Sequence, residues 1–391
     1  MKAFVYRMKD DSWRARVPRL SRFALEHLLL LPLGALIALV WVNTGPESYY
    51  RFTSAISFAV NDVAMVFFFA LMTKEVVEAT APNGVLHPWR RASLPVIASI
   101  GATIVPALIY IRVVDALDEP MLAVGWPVPF ATDLAVSYLV ARIIFRQHPA
   151  IPFLLLLAIA SDVLGFIALA LVSPTRDLHL GVGVLIMAIA ISIASGLRRA
   201  RVKSFWPYLL AAGGLSWYAL FWSGLHPALA LVPIMPFLPH AARDPGFLVD
   251  ALPGARDALS RFEIWWRYPA QVALFFFGLV NAGVPFRALE AGTWGVPTAL
   301  IAGKPLGILM AAGVALAAGL HLPRRVGWRE LIVLGFTAAI GFSVALFFCA
   351  ALLPPGQLRS EMRMGVLLSL AGAPLALVSA RLLRVGRFAP Q

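Results

Sequence analysis

Apolar residues run along this chain in twelve long blocks, and polar positions gather in the short intervals between them. The blocks fall near 23–43, 53–73, 92–112, 121–142, 151–173 and 179–196, then near 205–222, 224–240, 269–286, 292–319, 331–353 and 364–384. Each approaches the roughly 17–25 residues an α-helix needs to cross hydrocarbon. The eighth is the shortest. The pattern predicts an all-α integral membrane protein with about twelve transmembrane helices. It forms one membrane domain over 23–386, preceded by a basic tail at 1–22.

Two blocks are punctuated in a way ordinary spans are not. The fourth contains Pro127 and Pro129, followed by Thr132 and Asp133, and the eleventh has Gly335 and Gly341 around Thr337 and Ser343. Each is the middle member of a three-span unit, spans 3–5 and spans 10–12. Span 3 runs outward and span 10 inward, so the units form inverted-topology repeats with interrupted helices 4 and 11. Paired interruptions at corresponding places point to a transporter's binding site.

Composition narrows the class. With 60% hydrophobic and 14% charged residues among 391, an ordinary soluble protein is excluded. The formal charge of +13 invites a nucleic-acid reading, but no basic stripe with stacking aromatics accompanies it. Placing the N-terminus inside puts 26 of the 33 Lys and Arg on the cytoplasmic side and six on the other, with Lys304 within a span. That asymmetry orients the chain with both termini cytoplasmic, and the anionic inner leaflet accounts for the charge. The 1–22 tail, with Asp10 and Asp11 and no small-residue cleavage site, reads as retained rather than as a signal peptide. The longest loop, about 241–268, is too short for a domain of its own. Cys349, the single cysteine, lies in an apolar run and reads as a core residue.

The charges inside the blocks are the candidate chemistry. A charge at mid-bilayer depth costs roughly 2.5–3.5 kcal/mol on insertion scales, so one that persists faces protein or a water-filled path. Asp133 stands where a half-helix restarts, a position at which unpaired N–H groups favour a carboxylate. It is either a structural cap or a cation-attracting group. Asp162 lies deep in Leu154–Val172, where no capping role is available. Low-dielectric burial penalises its anion, so a proton or a metal cation must neutralise it. Ser161 and Thr132 could add oxygen ligands. Lys304, in Gly303–Lys304–Pro305–Leu306–Gly307, is a counter-charge, a proton carrier or a lysine reaching for the interface. Asp62 and Glu78 are weaker vestibule candidates, and His226 before Pro227 reads as packing. No nucleophile–base pair, phosphate-cradling glycine loop, histidine metal cluster or HExxH pattern stands out, so neither an enzyme nor a resident cofactor is expected.

These segments, in this order, resemble the NhaA-type sodium/proton antiporters. The similarity rests on Phe130–Ala131–Thr132–Asp133–Leu134–Ala135, Ala158–Ile159–Ala160–Ser161–Asp162, Asn281–Ala282–Gly283–Val284, Gly303–Lys304–Pro305–Leu306–Gly307–Ile308 and Gly341–Phe342–Ser343. Asn61–Asp62 and Leu225–His226–Pro227 add to it. The resemblance implies a core of the spans in 92–173 and 292–384 working against a panel of those in 23–73 and 179–286, the panel serving homodimers. It implies alternating access in the bacterial inner membrane, with Na⁺ or Li⁺ exchanged for protons at Asp162. Asp133 and Thr132 would lie at the crossing, and Lys304 would face the acids.

The chain departs from the family pattern in three ways. Ser161–Asp162 replaces two adjacent aspartates, removing the carboxylate expected to pair with Lys304, which is then expected either to hold its proton less firmly or to turn to Asp162 or Asp133. Losing that acid opens one-for-one, electroneutral exchange, altered cation selectivity or loss of transport. The short connection Thr44–Arg51 leaves no room for the external β-hairpin that helps relatives dimerise. Trp265, Trp266, Arg267 and Tyr268 stand where relatives carry histidines linked to pH activation, and Lys74 replaces an acid. The leading reading is a monovalent cation/proton antiporter. Its rivals are a non-transporting membrane sensor or scaffold derived from one, and a sodium-coupled organic-anion symporter on a related fold.

Overall fold

The structure is a computed structural model describing residues 30–80, 89–146, 148–172, 180–239, 257–323 and 325–389. The 1–22 tail, the start of the first apolar block and much of the 241–268 loop lie outside these residues. Helix α1 (Leu30–Thr44) is separated from α2 (Pro46–Thr80) by Gly45 alone. Pro46 opens α2 at a position where its missing N–H has no helical partner to lose. Within α2 one widened π-turn, Ala59–Ala64, holds Asn61 and Asp62.

Helix α3 (Trp89–Ala116) leads into two 3₁₀ turns, Pro120–Gly125 and Val128–Phe130. The backbone then opens through Ala131–Asp133 before α4 (Leu134–Phe145) restarts, bent 51° from what precedes it. The prolines thus do more than kink a helix: the first half of this span never forms an α-helix, because Pro120, Pro127 and Pro129 remove donors from its i→i−4 ladder. Helices α5 (Ala150–Val172) and α6 (Leu180–Arg199) follow, then α7 (Gly214–Ser223), entered through a π-turn at Tyr208–Gly213.

The eighth apolar block is not a helix. It contains only single 3₁₀ turns, Pro227–Leu229 and Met235–Phe237, since Pro227, Pro233 and Pro236 interrupt the donor ladder. Irregular backbone at membrane depth survives where protein covers it, and here Ala228, Ala230, Ile234 and Met235 are buried. Helix α8 (Ala258–Asn281) starts eleven residues earlier than the hydropathy suggests. Asp257 caps it by accepting from the Ser260 N–H, and Pro269 is absorbed in its interior.

Helix α9 (Gly295–Ala317) precedes the second broken pair, α10 (Trp328–Ala338) and α11 (Phe342–Leu352), bent 47° at Ala339–Gly341. Helix α12 (Gln357–Leu368) continues through a 3₁₀ turn into α13 (Gly372–Leu382). Six described helices are long and apolar enough alone to cross a membrane, and the two bent pairs make eight. The remaining apolar blocks hold α1, the run through Tyr208–Ser223, the irregular eighth block and α8, whose first turns are charged. No strand occurs among the described residues.

The two repeat units lock together through α3 and α9. A Cβ on Gly101 would stand 2.2 Å from the Gly307 carbonyl oxygen, and one on Gly307 would stand 2.1 Å from that of Gly101. Only glycine allows that approach, as at other membrane helix contacts. Phe69 packs edge-to-face on Phe166 and on Phe347, with ring centroids 5.1 and 4.5 Å apart, where α2, α5 and α11 meet.

Candidate ion site at the helix crossing

Both interruptions fall at one point, and Asp133 joins them. Its Oδ1 accepts from the Val136 N–H at 2.9 Å, capping α4, and its Oδ2 accepts from the Ser343 N–H at 2.9 Å, capping α11. One carboxylate therefore meets the positive ends of two half-helices, each equivalent to about half an elementary charge. Its own N–H donates to the Ile340 carbonyl at 2.6 Å. The Ser137 hydroxyl donates to the Thr337 carbonyl at 2.9 Å and that of Thr132 to the Ala338 carbonyl at 3.2 Å, tying down the end of α10.

Lys304 enters from α9, fully buried. Its Nζ donates to the Phe130 carbonyl and to Thr132 Oγ1, each at 2.7 Å. The expectation that it turns to Asp162 or Asp133 is not met. Among the described residues no carboxylate oxygen lies within 4.0 Å of Nζ. The cause is geometric: the last 3₁₀ turn before the break presents an open carbonyl and a hydroxyl directly to α9, and Asp133 is already bonded on both oxygens.

Asp162 is 2% exposed, and neither carboxyl oxygen has a hydrogen-bond partner among the described residues. The Ser161 hydroxyl beside it is also buried and unpartnered. Lys304 and Asp133 are the charged groups nearest to Asp162, and the Thr132 amide faces it without a bond of normal geometry. Helix α5 passes tightly there: a Cβ on Gly165 would lie 3.0 Å from Phe348 and 3.8 Å from Phe130. The structure thus gathers Thr132, Asp133, Ser161, Asp162 and Lys304 at one crossing. A buried unpaired carboxyl beside hydroxyls suits a hard cation, which prefers oxygen ligands, or a proton.

Asp62 and Glu78 lie elsewhere. Asp62 sits in the α2 π-turn, where its backbone carbonyl accepts from Trp217 Nε1 at 2.8 Å. Glu78 belongs to a separate cluster around buried Lys74, whose Nζ lies 2.7 Å from Glu78, 2.9 Å from Glu263 and 3.4 Å from Glu75. A cavity of about 280 Å³ lies between α2, α4 and α8. Glu75, Arg142, Glu263 and Arg267 line it, and so does Leu134, the neighbour of Asp133. His226 accepts from the Ala228 N–H at 3.3 Å and its ring packs on Phe347.

Sequence reasoning missed Ser137, Glu263 and the Phe130 carbonyl. Ser137 had one available signal, its place one turn beyond Asp133. The Lys74–Glu263 pairing joins α2 to α8 and leaves no local trace.

Comparison with known proteins gives a consistent result. Residues 24–380 match the family described as Na⁺/H⁺ antiporter 1. The chain is similar to the Na(+)/H(+) antiporter NhaA of Geobacter metallireducens, 40% identical over 375 residues covering 93% of this chain and 97% of the relative. It is also similar to the NhaA protein of Jannaschia sp., 38% identical over 415 residues and covering 94% and 98%. Among solved structures it resembles the sodium proton antiporter MjNhaP1 of Methanocaldococcus jannaschii, with TM-score 0.57 and 14% identity over 93% of this chain and 92% of that one. That last likeness speaks to the fold alone.

Proposed function

This chain belongs to the Na⁺/H⁺ antiporter 1 family, and from that premise we propose that it exchanges Na⁺ or Li⁺ for protons by alternating access, with Asp162 as the shared carrier. The observation behind this is the Asp162 carboxyl itself, buried and unbonded beside the crossing. Proton and cation compete for its oxygens, and Ser161 and Thr132 supply further oxygen. Asp133 acts by holding both half-helices in place. Lys304 supplies positive charge when no cation is bound. The cavity that reaches Leu134 is the approach from the basic, cytoplasmic face.

One titrating carboxyl supports one proton per cation. With Ser161 in place of a second acid and Lys304 bonded to Phe130 and Thr132, exchange is electroneutral. The spans in 92–173 and 292–384 move against the panel formed by the others. The protein sits in the bacterial inner membrane with both termini cytoplasmic, and any homodimer forms through the panel without a β-hairpin.

Proteoliposomes with a trapped pH dye test the reading. Na⁺ or Li⁺ added outside should drive proton movement in the wild type, at a rate indifferent to a voltage set with valinomycin and K⁺. No movement across pH 6–9 would favour a sensor derived from an antiporter. A strong voltage response would refute one-for-one exchange.

A further inference from the structure

A second group of charges, half-buried, lies away from the crossing, on α12. Arg359 and Arg363 are four residues apart and so share one helix face. Arg359 donates to the Leu353 carbonyl at the end of α11. Arg363 donates to Asn281 Oδ1 at 2.7 Å, at the end of α8. Asn281 in turn donates to Asn61 Oδ1 at 2.7 Å, in the α2 π-turn.

Neither guanidinium has a carboxylate within 4.0 Å among the described residues. Their ionisable neighbours are each other, Cys349, Tyr49 and Tyr50, none of which is an anion at neutral pH with an ordinary pKa. The acids at α12 are engaged elsewhere: Glu361 accepts from the Gly292 N–H at 3.1 Å, and Glu290 accepts from Gln357 at 2.9 Å. Glu361 projects about 200° around the helix from either arginine. The Nε of each arginine is buried and has no partner.

Charge balance then decides the matter. Two helix C-termini, α11 and α8, face the pair, and each offers about half a negative charge. Two full positive charges therefore retain about one uncompensated unit in a half-buried setting, with two buried Nε–H donors unsatisfied. We propose that Arg359 and Arg363 bind one small monovalent anion of the halide class, held between their Nε groups. The site lies on the face of the membrane where basic residues are scarce. By joining α12 to α8 and α2, the occupied site would fix the second repeat against its neighbours.

The test reads binding, not transport, so its outcome is independent of the antiport reading. The purified full chain is heated in NaCl, NaBr or sodium gluconate at constant sodium and ionic strength. Chloride and bromide should raise the wild-type midpoint above gluconate in a saturable way. Arg359→Gln and Arg363→Gln should each weaken the apparent halide affinity at least about tenfold, as expected for losing one charged hydrogen bond. No halide-specific shift in the wild type, or variants that keep the wild-type halide affinity, would overturn the proposal. Should the variants fail to fold, wild-type crystals grown in bromide decide it: an anomalous peak between the two guanidiniums is expected, and its absence is refutation.

Discussion

Asp133 and Asp162 share one crossing and are almost equally hidden, at 1% and 2% exposure, yet they are bonded in opposite ways. Both oxygens of Asp133 accept backbone N–H groups from different half-helices, while those of Asp162 accept none. A carboxylate that completes two helix caps has its charge answered by the fold and no oxygen to spare. One that completes nothing has both oxygens open to a proton or a cation, which is the role proposed for Asp162. The two acids are thus told apart by the state of their hydrogen bonds, and burial alone does not separate them.

Substitutions can break this contrast. Asp162→Asn should cut exchange in proteoliposomes by at least ~100-fold, as for loss of a proton-transferring group, while the thermal midpoint stays at the wild-type value or rises. Surviving exchange would remove Asp162 from the mechanism. Asp133→Ala should do the reverse, destabilising the protein by about 2–4 kcal/mol through two lost caps and their charged hydrogen bonds. Chemical unfolding in detergent measures this, and Asn at that position should recover part of the loss through its single acceptor oxygen.

Finer effects sharpen the comparison. If protons and Na⁺ compete for Asp162, the apparent KM for Na⁺ should rise about tenfold per unit fall in pH wherever the protonated form dominates. A KM independent of pH would mean separate sites. Lys304→Gln should cost about 1–2 kcal/mol of stability, because it weakens the contacts to Phe130 and Thr132. Its effect on exchange per folded molecule should stay smaller than that of Asp162→Asn. The smallest change in rate is expected from Ser161→Asp, whose signature is qualitative: a second acid beside Lys304 should make exchange respond to voltage. Unchanged voltage behaviour would count against the role assigned to Ser161.

Much of this was legible from residue order. Eleven of the twelve apolar blocks hold a helix or a broken helix among the described residues, and Pro127, Pro129 and Gly341 marked both interruptions. The eighth block is not a helix: its apolar content passes for one, but Pro227, Pro233 and Pro236 forbid it. The start of α8 was misplaced because Asp257 and the charged first turns lowered its hydropathy. Asp133 as a cap was readable from its place before Leu134. Its second cap, on Ser343, was not, since it joins positions 210 residues apart.

The residues by themselves determined that the chain lives in a bilayer, where its two spans break, and which acids and lysine are stranded at depth. Those follow from local chemistry: apolar length, missing N–H donors, and the cost of charge in hydrocarbon. Only the tertiary structure decided which acid is satisfied, that Lys304 holds backbone and hydroxyl oxygens instead of a carboxylate, and that two arginines share a face without an acid. Those outcomes depend on which distant segments arrive at the same point, and partnership across a crossing leaves no periodic signal in the sequence.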